Sequence, residues 1–192
     1  MVCTASGYQR SRADWAGSLG ENKVLMRQLF DKESSTYTYL LADPDCGEAI
    51  LIDPVIDHVE AYLQLLEELE LNLKYAADTH CHADHITALG ELRERTRCIT
   101  LAGEHSEMAC VSQFFKDVEM IAVGSLALRV IYTPGHTDDS YCFYLDGPQP
   151  ALFSGDTLLI RGTGRTDFQN GSSESLFNSI HNKLLTLDGE TV

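Results

Sequence analysis

Nothing in this chain approaches the roughly 18 uninterrupted apolar residues that a membrane-spanning helix requires, so no segment reads as a span. Positive charge is also scarce: 14 lysines and arginines stand against 29 acids, a net charge of −15. A surface this acidic repels phosphate backbones, which argues against a nucleic-acid partner. Paired cysteines are missing too. Cys3, Cys46, Cys81, Cys98, Cys110 and Cys142 are scattered with no C-x-x-C spacing, which in a chain of 192 residues is not a disulfide framework. They read as reduced thiols in a cytosol-like compartment. The first twenty residues contain no apolar stretch of the kind a secretory signal needs, and Arg10 and Arg12 beside Asp14 are a poor match to a transit peptide. The expectation is a cytoplasmic protein, or one of the mitochondrial matrix if the source is eukaryotic.

What the chain does have is enough apolar residue, 44%, for a globular core. Residues 1–22 read as a loose arm and residues 23–192 as one domain. Val24–Phe30, Thr36–Leu41 and Glu48–Asp53 read as strands, the last stopped by Pro54. Asp57 and Glu60 suggest a capping box, opening a helix with Val59, Tyr62, Leu63, Leu66 and Leu69 on one face. Further strands are expected over Lys74–Thr79, Cys98–Leu101, Leu126–Tyr132, Tyr141–Leu145 and Ala151–Ser154. Helices are expected over Ile86–Arg93, Glu107–Phe115 and Ser173–Leu187, the last buried through Leu176, Phe177, Ile180 and Leu184. Strands with helices interspersed suit a layered α+β or α/β domain.

One loop stands out. Thr79-His80-Cys81-His82-Ala83-Asp84-His85 places three histidines and an aspartate between an expected strand and an expected helix. None of these side chains belongs unpaired in an apolar core. Imidazoles with a carboxylate suit zinc or iron. Two later segments repeat the pattern of a strand ending in a glycine-marked polar loop: Thr133-Pro134-Gly135-His136-Thr137 and Ser154-Gly155-Asp156-Thr157. Each alone is an ordinary turn; together with the first loop they form a constellation in which His136 and Asp156 join the histidine cluster. His58, His105 and His181 lack this context and read as solvated or structural. Arg161-Gly162-Thr163-Gly164-Arg165 puts two arginines beside glycines that let backbone approach a ligand, a candidate anion site in an otherwise acidic chain.

These motifs resemble the metallo-β-lactamase superfamily. The finer pattern, Thr79–Thr87 with Asp156–Gly162 and Gly164–Gln169, resembles the persulfide dioxygenases within it. The resemblance implies an αββα sandwich with a metal at the open edge of its two sheets. It implies one Fe(II) per chain held by His80, His136 and Asp156, with His82, Asp84 and His85 orienting those ligands or forming a second site. It implies oxidation of glutathione persulfide by O₂ to sulfite and glutathione, with Arg165, and less directly Arg161, holding a substrate carboxylate. A homodimer is compatible with it. Members of the family continue past the position of Val192 through another strand, C-terminal helices and a further histidine, so a sandwich short of these is expected. The rival reading is a dinuclear zinc thioester hydrolase of the glyoxalase II type, with Asp156 bridging the two ions. A metal-free relative acting as a binding module is the rival from outside enzymology.

Overall fold

A computed structural model describes residues 24–192; the arm expected over residues 1–22 lies outside the described residues. Six strands form the first sheet, in the order β1 (Leu25–Phe30), β2 (Tyr37–Asp43), β3 (Glu48–Ile52), β4 (Asn72–Ala77), β5 (Ile99–Gly103) and β6 (Gln113–Phe115). The first three pair antiparallel, and from β3 onward each neighbour is parallel. The second sheet is antiparallel in the order β10-β9-β8-β7, built from β7 (Met120–Val123), β8 (Leu126–Tyr132), β9 (Tyr141–Leu145) and β10 (Ala151–Phe153).

Strand periodicity explains the layers. Leu40 and Leu41 are adjacent, both fully buried, and point to opposite faces of β2. Leu41, Ile50, Ile52, Ala77 and Leu101 face the second sheet, where Val130, Tyr141 and Phe143 complete the central core. Leu40, Leu51, Leu73 and Ala76 face outward and are covered by α1 (Val59–Glu68) and α2 (Leu89–Thr96) through Tyr62, Leu66, Leu89 and Leu92. On the far side, Ile131, Cys142 and Tyr144 of the second sheet pack under Ile180 of α3 (Ser173–Asn182) and under Leu184. The expected αββα sandwich is therefore the fold. The sheets approach closely enough that a Cβ on Gly103 would enter the ring of Tyr141.

Several expected elements differ in detail. Residues 107–112 form turns, not a helix, and Gln113–Phe115 pairs as an edge strand. The Ser112 amide donates to the Thr100 carbonyl at 2.9 Å, and Phe115 is 3% exposed in the core, so sheet pairing wins over helical propensity. The helix expected from Ile86 starts at Leu89 because residues 86–88 are already committed: the Ile56 amide donates to the Ile86 carbonyl and the Ala88 amide to the Pro54 carbonyl. The Asp57–Glu60 capping box does not form. A 3₁₀ turn over Ile56–His58 intervenes, and His58 occupies the N-cap with no side-chain capping bond. Phe177 is 59% exposed and stacks on His181 at 4.0 Å; it is not a core residue. The strand β7 escaped sequence reading because four residues with alternate burial carry little pattern.

Candidate metal centre

Each part of the site hangs from a strand end at one edge of the sandwich. The loop after β4 supplies residues 78–85, the loop after β8 supplies residues 133–137, and the turn after β10 supplies residues 154–157. The histidine loop is tied across the sheets by the Tyr141 amide, which donates to the Thr79 carbonyl at 2.8 Å, and by the Cys81 amide, which donates to Asp139 Oδ2 at 3.1 Å. The Pro134-Gly135-His136 turn is held by α3. The Ser172 amide donates to the Gly135 carbonyl and the Ser179 hydroxyl to the Pro134 carbonyl. Gly135, at φ 150°, lies so close to Leu176 that a side chain there would strike the helix backbone.

His80, His136 and Asp156 meet where these loops converge. One donor atom from each lies within 4.8 Å of the others, the His80 and His136 rings are 5.0 Å apart, and His136 Nε2 stands 3.4 Å from Asp156 Oδ2. The hydrogen bonds fix the role of Nδ1 in each imidazole. The Thr79 hydroxyl gives its proton to Asp53 Oδ2 at 3.0 Å, so its oxygen accepts from His80 Nδ1–H at 2.9 Å. His136 Nδ1–H donates to the Arg165 carbonyl at 2.8 Å. In both rings Nε2 is the nitrogen left over. Burial, helped by neighbouring His82, His136 and His85, holds His80 well below its ordinary pKa, so it is neutral at pH 7. Burial raises the Asp156 carboxyl, opposed by His136 and His82.

The other histidines of the loop sit behind and beside this set. His82 Nε2 faces Asp53 Oδ1 at 3.2 Å; burial alone would lower its pKa, but Asp53, with Asp78 and Asp84, outweighs it and raises it to about 9. Asp84 and His85 lie together with His82 in a second group of donor atoms within 4.8 Å. Asp78 is fully buried, and burial lifts its carboxyl to about 7 against the pull of His82. A cleft of about 720 Å³ opens beside Asp156, His82 and Asp84 and runs on past Tyr37, Tyr39 and Leu159.

The two arginines are placed differently. Gly164 threads between them against the site: a Cβ there would meet the Asp156 carbonyl and the His136 ring. Gly162 has open space around it. The Arg165 carbonyl orients His136, while its guanidinium forms a two-bond pair with Asp167 at 2.8 and 3.1 Å. Arg161 is exposed on the small turn closed by Leu159 and Gly162. Away from the site, His58 pairs with Asp31, His105 lies tilted against Tyr132 and His181 stacks on Phe177. Sequence reading missed the roles of Asp53, Thr79 and Asp139. Asp53 obeyed the same strand-end pattern as the histidines, ahead of Pro54, and that signal could have singled it out.

The sequence pattern of the Metallo-beta-lactamase superfamily matches residues 31–192. The mitochondrial persulfide dioxygenase ETHE1 of Mus musculus is 46% identical over 193 residues, covering 98% of this chain and 72% of that protein. The Bos taurus protein of the same name is 46% identical over 166 residues, and this chain spans 65% of its length. The crystal structure of ETHE1 from Myxococcus xanthus superposes with a TM-score of 0.82 at 47% identity, covering 86% of this chain and 72% of that one.

Proposed function

Because the chain belongs to the persulfide dioxygenase family of the metallo-β-lactamase superfamily, we propose that it oxidises glutathione persulfide with O₂, using one iron held by His80, His136 and Asp156. The observation that carries the reading is the donor set: two imidazoles, each with Nδ1–H engaged and Nε2 left over, beside a carboxylate. Two histidines and a carboxylate are the ligand types of non-haem iron oxygenases, and these three residues would hold such an ion. When bound, ferrous iron supplies the unpaired electrons that let triplet O₂ react with a sulfur anion. In the balanced reaction the sulfur–sulfur bond breaks and glutathione leaves as the thiol, the terminal sulfur gives four electrons to one O₂, water provides the third oxygen of sulfite, and two protons are released.

The chain's own residues do the rest. Asp53 and the Thr79 hydroxyl hold His80 in its ligand tautomer, and the Arg165 carbonyl does the same for His136. His82, its pKa raised by Asp53, Asp78 and Asp84, lines the cleft beside Asp84 and Asp156. The cleft volume suits a tripeptide. Arg165, released from Asp167, would take a glutathione carboxylate, with Arg161 as the second cation of that loop. The dinuclear zinc hydrolase remains the second reading, favoured by the grouping of His82, Asp84 and His85 and by a buried His85 Nε2 that meets no partner among the described residues. Purified protein assayed with glutathione persulfide in an oxygen electrode, with metal content measured in parallel, separates them. One iron per chain with O₂ consumed and sulfite formed one to one supports the dioxygenase. Two zincs with hydrolysis of a glutathione thioester replaces it by the hydrolase.

A further inference from the structure

The turn joining β1 to β2 is built to hold one hydroxyl. The Asp31 amide donates to the Thr36 carbonyl at 2.9 Å. Asp31 Oδ2 accepts from the Ser34 amide at 2.7 Å and from its hydroxyl at 2.6 Å, while Oδ1 faces His58 Nε2 at 2.9 Å. Thr36 is thereby fixed, and its hydroxyl donates to Asp84 Oδ2 at 3.0 Å, 48 positions along the chain. The same oxygen is 3.2 Å from His85 Nδ1.

A hydroxyl has one proton to give, and an ionised carboxylate can only accept. Ser34 Oγ is a competing acceptor at 2.8 Å, but a carboxylate binds a hydroxyl proton more strongly than another hydroxyl does. With the Thr36 proton on Asp84, the Thr36 oxygen can contact His85 Nδ1 only by accepting from it. Asp84 Oδ2, at 3.4 Å from the same nitrogen, is a second acceptor on that side. His85 then carries its proton on Nδ1 and keeps a bare lone pair on Nε2. That nitrogen is buried without a partner among the described residues, in a side chain only 4% exposed.

We propose that Thr36 is a positioning residue: it fixes His85 as the Nδ1–H tautomer and braces Asp84 against it, so that the histidine loop offers an unprotonated His85 Nε2. An imidazole held this way can accept a proton or a hydrogen bond and cannot donate one from Nε2; the other tautomer does the reverse. The content of the inference rests on hydrogen bonds alone, and its consequence for activity rests on the metal centre proposed above.

Side-chain ¹H–¹⁵N correlation spectra of the ¹⁵N-labelled, metal-free protein read the tautomer directly, with His85 assigned by the signals lost in His85→Gln. The parent and Thr36→Ser should show His85 protonated on Nδ1. Thr36→Val, which keeps the volume and removes the hydroxyl, should show a mixed or reversed tautomer, with the Nδ1–H form recovered in Thr36→Ser. Thr36→Ala serves in its place if the valine variant does not fold. His85 protonated on Nε2 in the parent, or an unchanged Nδ1–H tautomer in a hydroxyl-free variant, overturns the proposal. Failure of the dioxygenase reading shows elsewhere, in the metal and product analysis, and leaves these spectra unaffected.

Discussion

His136 donates its Nδ1 proton to the main-chain carbonyl of Arg165, 2.8 Å away, so the loop carrying the candidate anion reader also orients a candidate metal ligand. Backbone and side chain of one residue therefore face two tasks. The carbonyl serves His136, and the guanidinium is held meanwhile by Asp167.

These two tasks can be separated by substitution. Arg165→Ala keeps the carbonyl and removes the guanidinium, an exposed group whose pair with Asp167 contributes little to stability. It should raise KM for the persulfide, leaving iron content and melting temperature near those of the parent. Gly164→Ala should do the opposite. Its new Cβ meets the Asp156 carbonyl and the His136 ring, an overpacking that costs about 1–3 kcal/mol and misplaces two of the three donors. Iron retention and thermal unfolding measured on both variants check the division. Loss of metal in Arg165→Ala would show that the side chain, not the carbonyl, supports the site.

The histidine loop allows a count of ions. His136→Ala removes a donor of the proposed iron set and should abolish metal retention. Asp84→Asn preserves shape while deleting a charge that a second cation would require. With one iron per chain, Asp84→Asn should keep that iron and lose only part of its oxygen consumption, within the roughly 10–100-fold expected of a group that acts through hydrogen bonds. Elemental analysis decides. Two ions in the parent falling to one in Asp84→Asn would favour the dinuclear hydrolase.

How much of this was legible in the sequence depended on whether a residue's chemistry was local. His80, His136 and Asp156 could be found because each lies in a short polar loop directly after an apolar run, and the strand order then had only to bring the loops to one edge. The core layers were legible for the same reason, through runs such as Leu40-Leu41 and Ile50-Leu51-Ile52. The Arg165 carbonyl was not, because a main-chain oxygen has no residue identity to read. Thr36 bonding to Asp84, and Asp53 bonding to Thr79, join residues far apart in sequence, and only the fold supplies the pairing. The helix start near Leu89 was likewise set by backbone bonds from Pro54 and Ile56, which propensity does not contain.

Buried Asp78 and His82 give the metal-free protein a characteristic response to pH. Asp78 titrates at about 7 in the folded chain and near 3.9 when unfolded, so the folded state holds a proton that the unfolded state has released. Stability from this group therefore falls as pH rises from about 4 through about 7. His82 is raised to about 9 from a value near 6.5, so its contribution is complete below about pH 6.5 and is lost as pH climbs through 9. Asp78→Asn removes the first window and, by taking one acid from beside His82, narrows the second. Metal-free Asp78→Asn should unfold at a higher temperature than the parent above about pH 7 and differ little from it near pH 4. A variant less stable than the parent throughout would mean that the carboxylate is needed for packing or hydrogen bonding in a way its titration does not express.

Asp53 is demanding to replace, although Asn is nearly its isostere. It sits at φ 52°, a conformation that Asn tolerates, so the backbone need not change. Its Oδ1 accepts the Thr79 amide at 2.7 Å and faces His82 Nε2 at 3.2 Å; its Oδ2 accepts the Thr79 hydroxyl at 3.0 Å. An asparagine must keep its oxygen on the Oδ1 side, where the donors are backbone N–H and imidazole. Its NH₂ then faces the Thr79 hydroxyl, which can no longer donate there. The Thr79 proton turns toward His80 Nδ1, and His80 must move its own proton to Nε2, the nitrogen proposed to bind iron. Asp53→Asn should therefore weaken Fe(II) binding by at least the upper end of the 10–100-fold range, with His82 losing its chief counter-charge and titrating below about 9. Metal titration and histidine ¹⁵N spectra measure both effects. Parent-like affinity with His80 still protonated on Nδ1 would show that the relay through Thr79 does not set the ligand tautomer.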